Sequence, residues 1–506
     1  MVVERVGQPM PTEGEITPNQ PGEGFARVEG EWWGAEEDQT PIQGKFLRYQ
    51  AGLVFVLYAL LAFILGIKLG FYGLKILVMV SCGLLLLSPP NYPFLLGLLI
   101  PVYYYLKSAV WATPEYSYTA HYAPVVVILM ALGRWLWEGM RGQGGVGRKW
   151  DVGFVCLGGI TVLLLLGATV VQNHYLYFSR MVDLLGFVCA YRLGRSYSNT
   201  ASSTRLLLGG LALGILAFEL PYSLGFVLRE GVGVMGQLDK MRAELGAGTG
   251  VGSESGTMLV TFALAYSLAS SFLPRGTRRL ALWLVSIPAG VVIAIYLSRT
   301  AILLLPVAVV MNLVLARRRG AALAVALITL GLGAAAVVRE PALLASFKER
   351  MYKIGGAAFT RQTIRMEGIG FGLSHPLLGI GAAQFPQYSR FYHAHNEEIT
   401  VLAEQGMVAF FLYGVFWVYL GWTAVRMRLA DDAFMRSLGG VFLVVLTVYF
   451  LYAQIQPIYT ERGGMLFTFC AGLLVRAYQG YRGSGEAGAG VGEAEQLSGA
   501  GSGLLA

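Results

Sequence analysis

Histidines and arginines are concentrated in one polar stretch of the chain, residues 361–396, with the sequence RQTIRMEGIGFGLSHPLLGIGAAQFPQYSRFYHAHN. The whole chain contains only five histidines. This stretch contributes three of them and three arginines, namely His375, His393, His395, Arg361, Arg365 and Arg390. Imidazole is the usual general base near neutral pH, and a guanidinium group can bind two phosphate oxygens at once. We therefore expect a site that handles an anionic substrate carried by a lipid.

The arginines are candidate ligands for phosphate. Arg361 and Arg365 are four residues apart, so on a helix they share a face. They would either bind phosphate or form a solvated surface that contacts lipid headgroups. Arg299 interrupts the apolar run IAIYLSRTAILLL, where a permanent charge is usually functional or paired. A snorkelling arginine at a helix end is the alternative. Arg462, in the turn YTERGG, is a further candidate phosphate ligand.

The segment His393-Ala394-His395-Asn396 is the second candidate group. Its histidine spacing can suit a metal, but no Asp or Cys stands beside it. Glu397 and Glu398 follow directly, and we predict no metal there. An imidazole in this position could take a proton from an attacking hydroxyl. The alternative is a pair of surface histidines that are hydrogen-bonded in a loop.

Two other polar residues near this stretch admit structural interpretations. Glu404, in VLAEQGMVAF, could orient an arginine or a histidine, or be a satisfied carboxylate within the membrane. His375 begins HPLLGIG, where the proline and the glycines favour a structural turn. The chain has no GxxxxGK[ST] phosphate loop, so no ATP-driven motor is predicted.

The composition predicts an all-α polytopic membrane protein. The chain is 55% hydrophobic and 13% charged, with mean hydropathy +0.58, whereas a soluble domain carries about 25% charged residues. A spanning helix needs about 20 apolar residues. About fourteen stretches qualify, or about twelve if the two weakest are dropped. The candidates are 50–67, 72–88, 92–107, 120–138, 152–171, 181–194, 204–221, 257–274, 279–297, 300–316, 321–338, 399–424, 438–457 and 463–477.

Basic residues in the short loops predict the orientation. The net charge of +8 comes mostly from loops that alternate in position, which the positive-inside rule assigns to the cytoplasm together with both termini. This distribution gives no support to a nucleic-acid partner. Residues 339–398 then form a large periplasmic loop, in which PALLASFKERMYKI and TIRMEGIGFGLSH are predicted short helices. The predicted regions are a disordered tail 1–45, helices 46–338, the catalytic loop 339–398, helices 399–478 and a flexible tail 479–506.

The polar stretch also resembles a known family. TRQTIRMEGIGFGLSHPLLGIGAAQF followed by HAHNEEITVLAEQGMVAFFLYGVF is similar to the C-terminal signature of the O-antigen ligase and O-antigen polymerase superfamily. That signature has an arginine, then HPLLGxG, then HN, then a span with a glycine near its start. SRTA at 298–301 resembles the family's earlier SR[GT]A element. The resemblance covers roughly residues 298–415.

The resemblance implies a glycosyltransferase that moves a glycan from undecaprenyl diphosphate to an acceptor hydroxyl, with inversion and without metal or cofactor. By position, Arg299 and Arg361 would bind the diphosphate and His395 would act on the acceptor. The family often has tryptophan where this chain has Arg365, so the register between Arg361 and Arg365 stays open. The further substrate-binding candidates are Arg365, His393, Asn396, Arg390, Arg462 and Glu404.

Several functions remain open within and beyond this class. About fourteen spans favour a polymerase slightly and about twelve favour a ligase to lipid A core; an O-linked protein oligosaccharyltransferase is a third form. A transporter or flippase is the alternative class, but no internal repeat typical of transporters is visible. The implied partners are a lipid-linked donor, a glycan or lipid A-core acceptor, the bilayer and a chain-length regulator. The implied location is a bacterial inner membrane, with the site facing the periplasm.

Overall fold

The computed structural model describes residues 128, 131–132, 151–197, 204, 208–209, 212, 251–295, 299–328, 361–391, 394–455 and 464–482. Within these ranges the chain forms helices and turns and no strand, which confirms the all-helical prediction there. The described residues belong to one compact unit, Leu61–Ala506. The predicted N-terminal tail, the three predicted spans before residue 120 and the segment PALLASFKERMYKI lie outside the described residues.

The helices are numbered here in chain order. They are α1 Val152–Gly167, α2 His174–Tyr197, α3 Val251–Phe272, α4 Arg275–Ile295, α5 Arg299–Leu315, α6 Arg319–Ile328, α7 361–374, α8 Phe385–Tyr388, α9 Glu397–Arg428, α10 Ala433–Ala453 and α11 464–482. Of these, α7 confirms the helix predicted for TIRMEGIGFGLSH.

Several helices begin at a polar residue that caps the first turn. Asp151 Oδ1 accepts a hydrogen bond of 2.7 Å from the Phe154 N–H. Asp432 Oδ1 accepts one of 2.7 Å from the Met435 N–H. Such caps satisfy backbone donors that have no partner within the helix. Short polar residues at these positions therefore set where the apolar helices start.

Helix boundaries differ from the predicted spans where polar residues join a helix. α2 begins at His174 and not at residue 181, and α3 begins at Val251 and not at residue 257. Arg299, which lies between the predicted spans 279–297 and 300–316, is the first residue of α5. α11 continues to residue 482, past the predicted start of the flexible tail. The hydropathy criterion underestimates the length of helices whose ends are polar.

The bundle is built around α9 and α10. α9 packs against α10 and α1, and α10 also packs against α3 and α5. α2 and α11 approach at backbone distance, because a Cβ on Gly194 would lie 2.3 Å from the Phe469 carbonyl oxygen. Small residues at such crossings are typical of helices that pack within a membrane.

The outer surface of the bundle is apolar. Leu280, Trp283 and Leu284 on α4 are 64%, 65% and 63% exposed, and Phe411 and Val418 on α9 are similarly exposed. Among the described helices, α9 and α10 are long and apolar enough to cross a membrane. Large exposed apolar faces of this kind mark surfaces that contact lipid or another protein.

The two ends of the bundle are polar. At the end where α9 finishes, which we call the basic end, Arg195 Nε forms a 3.0 Å ion pair with Asp151. Arg195 also donates to Gln479 Oε1 at 3.1 Å. Arg428, in the last turn of α9, donates to the Leu315 carbonyl oxygen at the end of α5. The opposite end, where α9 begins and α10 finishes, carries the candidate site and is called the site end.

Candidate functional site

A break in α9 organises the site end. Gly406 has φ 84° and ψ 178°, a backbone conformation that essentially only glycine adopts. In a regular helix the Met407 N–H would donate to the Ala403 carbonyl oxygen. Here the Met407 N–H donates to Pro376 O at 2.7 Å, and Ala403 O accepts from the Ile380 N–H at 2.9 Å. The loop 376–380 therefore replaces the hydrogen bond that the helix loses.

This interlocking explains the motif HPLLGIG. Gly379 has φ 63°, and a Cβ there would lie 2.4 Å from the backbone carbon of Glu404. A Cβ on Gly406 would lie 2.7 Å from the Leu377 carbonyl oxygen. Both positions therefore exclude side chains. His375 is exposed beside this turn, with its Nδ1 3.0 Å from Ser374 Oγ, consistent with the structural interpretation of its motif.

The far side of the loop is fixed to the turn between α1 and α2. The Gln384 side chain is 0% exposed. Its Oε1 accepts from the N–H groups of Gln172 and Asn173 at 3.1 and 2.8 Å, and its Nε2 donates to Asn173 O at 2.9 Å. The loop is thus held between α9 and the α1–α2 turn, on the turn side through the fully buried Gln384 side chain.

Glu404 belongs to this same attachment. Its carboxylate is 2% exposed, and its Oε2 accepts a 2.9 Å hydrogen bond from the Ala383 N–H. Arg180 on α2 lies within electrostatic reach of it. These contacts place Glu404 in the support of the loop. Arg180 was not among the predicted site residues. Its position directly before the predicted span 181–194 could have indicated a charged residue at the end of the apolar layer.

His395 has an unusual backbone conformation. Its φ is 52°, which is uncommon for a residue other than glycine and costs about 1–3 kcal/mol. The next residue, Asn396, is the N-cap of α9, and its Oδ1 accepts from the Ile399 N–H at 2.8 Å. The residue before, Ala394, is fully buried. Residues held in such conformations cluster at functional sites.

Three helices meet beside His395. Arg365 on α7 donates through Nη2 to Gln454 O at 2.7 Å and to His395 O at 3.4 Å. Asn396 Nδ2 donates to Gln454 Oε1 at 3.1 Å, and Gln454 Nε2 donates to Glu398 Oε1 at 2.5 Å. We call Arg365, Asn396, Glu398 and Gln454 the Gln454 cluster. Gln454, at the C-cap of α10, was not predicted, because it lies near the end of the predicted span 438–457 with no motif around it.

The remaining arginines of the polar stretch are more accessible. Arg361 is exposed one helical turn before Arg365 and has no hydrogen bond or ion pair to another described residue. Arg390 is exposed, with its guanidinium carbon 5.0 Å from the centroid of the neighbouring Phe391 ring. Ser389 Oγ donates to Glu367 Oε2 at 2.8 Å, which joins this part of the loop to α7.

Three predicted site residues are described incompletely or not at all. Arg299 is the first residue of α5, and its side chain is outside the description. His393 and Arg462 lie outside the described residues. The structure therefore brings Arg365, His395 and Asn396 into contact and leaves the side chains of Arg299, His393 and Arg462 unplaced. Across the described ranges, no three His, Cys, Asp or Glu side chains gather as metal ligands would.

A mostly apolar cavity lies between α1, α2, α9, α10 and α11. It is lined by residues that include Leu157, Phe187, Phe416 and Trp417. Glu397 also lines it and is 0% exposed. Its Oε1 accepts from the hydroxyls of Tyr413 and Tyr449. Because Glu397 follows Asn396 directly, this cavity begins immediately below the site end.

The apolar exterior and polar ends define an integral membrane protein whose candidate site lies at one end of a helical bundle. Residues 284–414 match the family model described as O-antigen ligase. The match supports membership of the O-antigen ligase and polymerase superfamily, as the resemblance predicted. The matched segment includes Arg299, Arg361 and His395. No curated protein matches the chain.

Proposed function

We propose that this protein is a membrane glycosyltransferase that moves a glycan from an undecaprenyl diphosphate-linked donor to an acceptor hydroxyl. The observation that carries the proposal is the contact between His395 and the arginine-bearing helix α7 at one end of the bundle. This contact lies inside the segment that matches the O-antigen ligase family. A general base beside cations is what transfer from a diphosphate leaving group requires.

The proposed reaction is a single displacement at the anomeric carbon. The acceptor oxygen forms a bond to that carbon, and His395 takes the proton of the hydroxyl. The bond from the anomeric carbon to the diphosphate oxygen breaks, and undecaprenyl diphosphate leaves with the electron pair. Arg299 and the exposed Arg361 stabilise the charge that develops on the leaving group. Attack from the opposite face inverts the anomeric configuration.

The environment of the site suits a donor that is anchored in lipid. The apolar cavity below Glu397 opens between helices whose outer surfaces are themselves apolar, and it would accept part of the polyprenyl chain. The site end is opposite the basic end, which the positive-inside rule assigns to the cytoplasm. The position of the basic end supports a site that faces the periplasm, in an inner-membrane protein with cytoplasmic termini.

The acceptor distinguishes a polymerase from a ligase. A polymerase would extend another lipid-linked glycan, whereas a ligase would use lipid A core and an O-linked enzyme would use a protein hydroxyl. We favour the polymerase slightly, on the predicted span count. Purified protein in nanodiscs, with a defined donor and each acceptor in turn, would test this in a buffer that contains a chelator.

We expect one acceptor to become glycosylated, with release of undecaprenyl diphosphate and an inverted linkage detected by NMR. Transfer to the lipid-linked glycan alone would identify a polymerase. Absence of transfer to all three acceptors by folded protein, with several donor sugars, would reject the proposed function.

A further inference from the structure

The guanidinium group of Arg365 is already engaged within the protein. Its Nη2 lies 2.7 Å from the Gln454 carbonyl oxygen and 3.4 Å from that of His395. Its Nε is buried and has no hydrogen-bond partner among the described residues. Arg361, on the same helix, is exposed instead. The two arginines that the sequence could not tell apart therefore differ in what they can reach.

The contacts of Arg365 converge on the segment that sets the orientation of His395. His395 adopts φ 52°, and its neighbour Asn396 is bound to Gln454 through a 3.1 Å side-chain hydrogen bond. The end of α10 is thus linked to the His395 carbonyl oxygen through Arg365. It is also linked directly to the Asn396 side chain. A left-handed residue persists only when surrounding contacts determine its conformation.

We propose that Arg365 is a positioning residue for His395 and not a ligand of the substrate diphosphate. This inference rests on the proposed function and assigns the phosphate role on α7 to Arg361. Arg365 bridges the carbonyl oxygen of His395, just before α9, and that of Gln454, at the C-cap of α10, so it holds the imidazole of His395 toward the acceptor hydroxyl. Lysine also carries several donors on one nitrogen, but on a flexible stem, so it would keep these contacts less rigidly than the Arg365 Nη2 group does.

The test compares Arg365→Met and Arg365→Lys with Arg436→Met. Arg436 is exposed at the basic end in the first turn of α10, the helix that Gln454 caps at its other end. Its replacement controls for the loss of one positive charge. A misplacement of about 1 Å can cost about 100-fold in rate. We expect kcat of the Met variant to fall by about that factor, with the donor KM within about twofold of wild type. We expect Lys to restore part of kcat.

A second readout does not depend on turnover. The ring resonances of labelled His395, identified by their loss in His395→Gln, should shift in Arg365→Met and stay unchanged in Arg436→Met. Gln454→Ala keeps the carbonyl acceptor but removes the side-chain bridge, and it should lower kcat in the same direction. The Gln454→Ala variant is the alternative test if Arg365→Met does not fold.

The outcomes separate the inference from the proposed function. A raised donor KM with kcat retained in Arg365→Met would identify a phosphate ligand and overturn the inference. Unchanged His395 resonances would also overturn it. If wild-type protein transfers no glycan while the resonances shift as expected, the positioning contact stands and the proposed function fails.

Discussion

At the level of single residues, the proposed chemistry depends on His395, which has a left-handed backbone, and on Arg361, which is exposed on α7. His395 and Arg361 stood out because charged and titratable residues are rare in this apolar chain. Gln454 did not stand out, because its role depends on three helices that meet only in the folded protein. The left-handed backbone of His395 could not be predicted either, since no local sequence pattern such as Gly or Pro indicates it.

Replacement of His395 by Gln should abolish most of the transfer activity. A positioned general base contributes about 100- to 10,000-fold, so we expect kcat to fall within that range in an assay with defined donor. His375→Gln is the matched control, because His375 is exposed and contacts only neighbouring residues in its turn. Equal losses in both variants, or full activity in His395→Gln, would contradict the assignment.

Replacement of Arg361 by Met should weaken stabilisation of the leaving group. Removal of one preorganised donor to a developing negative charge costs about 100- to 1,000-fold in rate. We expect a loss in kcat/KM of that order, together with weaker competition by free undecaprenyl diphosphate, in the nanodisc assay. Arg436→Met should behave as wild type. Undiminished competition by the diphosphate in Arg361→Met would show that this arginine binds something else.

At the level of elements, helices were predictable and their interruption was not. The apolar run 399–424 indicated one continuous span, and α9 does cover it, but Gly406 breaks the helix within the run. The break depends on hydrogen bonds to loop 376–380. That loop is more than 20 residues away along the chain, so the local hydrophobic periodicity could not predict these contacts. The glycines of HPLLGIG were interpreted as a turn, and the structure adds that they allow backbone contact with α9.

Gly406→Ala should therefore disrupt both the helix break and the loop attached to it. The required conformation is worth about 1–3 kcal/mol of strain for a non-glycine residue, in addition to the steric overlap with Leu377. We expect a lower thermal unfolding midpoint and loss of transfer. Gly414→Ala in the same helix is the control, because its Cβ would meet nothing within 4 Å. Matching midpoints for the two variants would mean that the break is dispensable.

At the level of the whole molecule, composition alone predicted a helical membrane protein, and the described part bears this out. The predicted count of about 12–14 spans and the orientation remain proposals. The support for the orientation is the separation of the basic end, with Arg195 and Arg428, from the site end, with His395 and Gln454. Hydropathy could not fix helix ends such as His174, because polar first turns extend beyond the apolar layer.

The proposed orientation predicts which ends react with a thiol reagent that cannot cross the membrane. Ser374→Cys, exposed at the site end, should be labelled in intact cells whose outer membrane has been permeabilised. Arg436→Cys, exposed at the basic end, should be labelled only after the inner membrane is opened. The unmodified protein controls for its own cysteines. The reverse pattern would place the site end in the cytoplasm.

The proposed transfer reaction depends most on cations from α5 and α7 that face His395 across one bound diphosphate. The direct measurement is an experimental structure of the protein in nanodiscs with an undecaprenyl diphosphate-linked glycan bound. We predict that Arg299 and Arg361 contact the diphosphate, that the anomeric carbon faces His395, and that Arg365 stays on the Gln454 carbonyl. A diphosphate bound elsewhere, or Arg299 directed away from His395, would contradict the account.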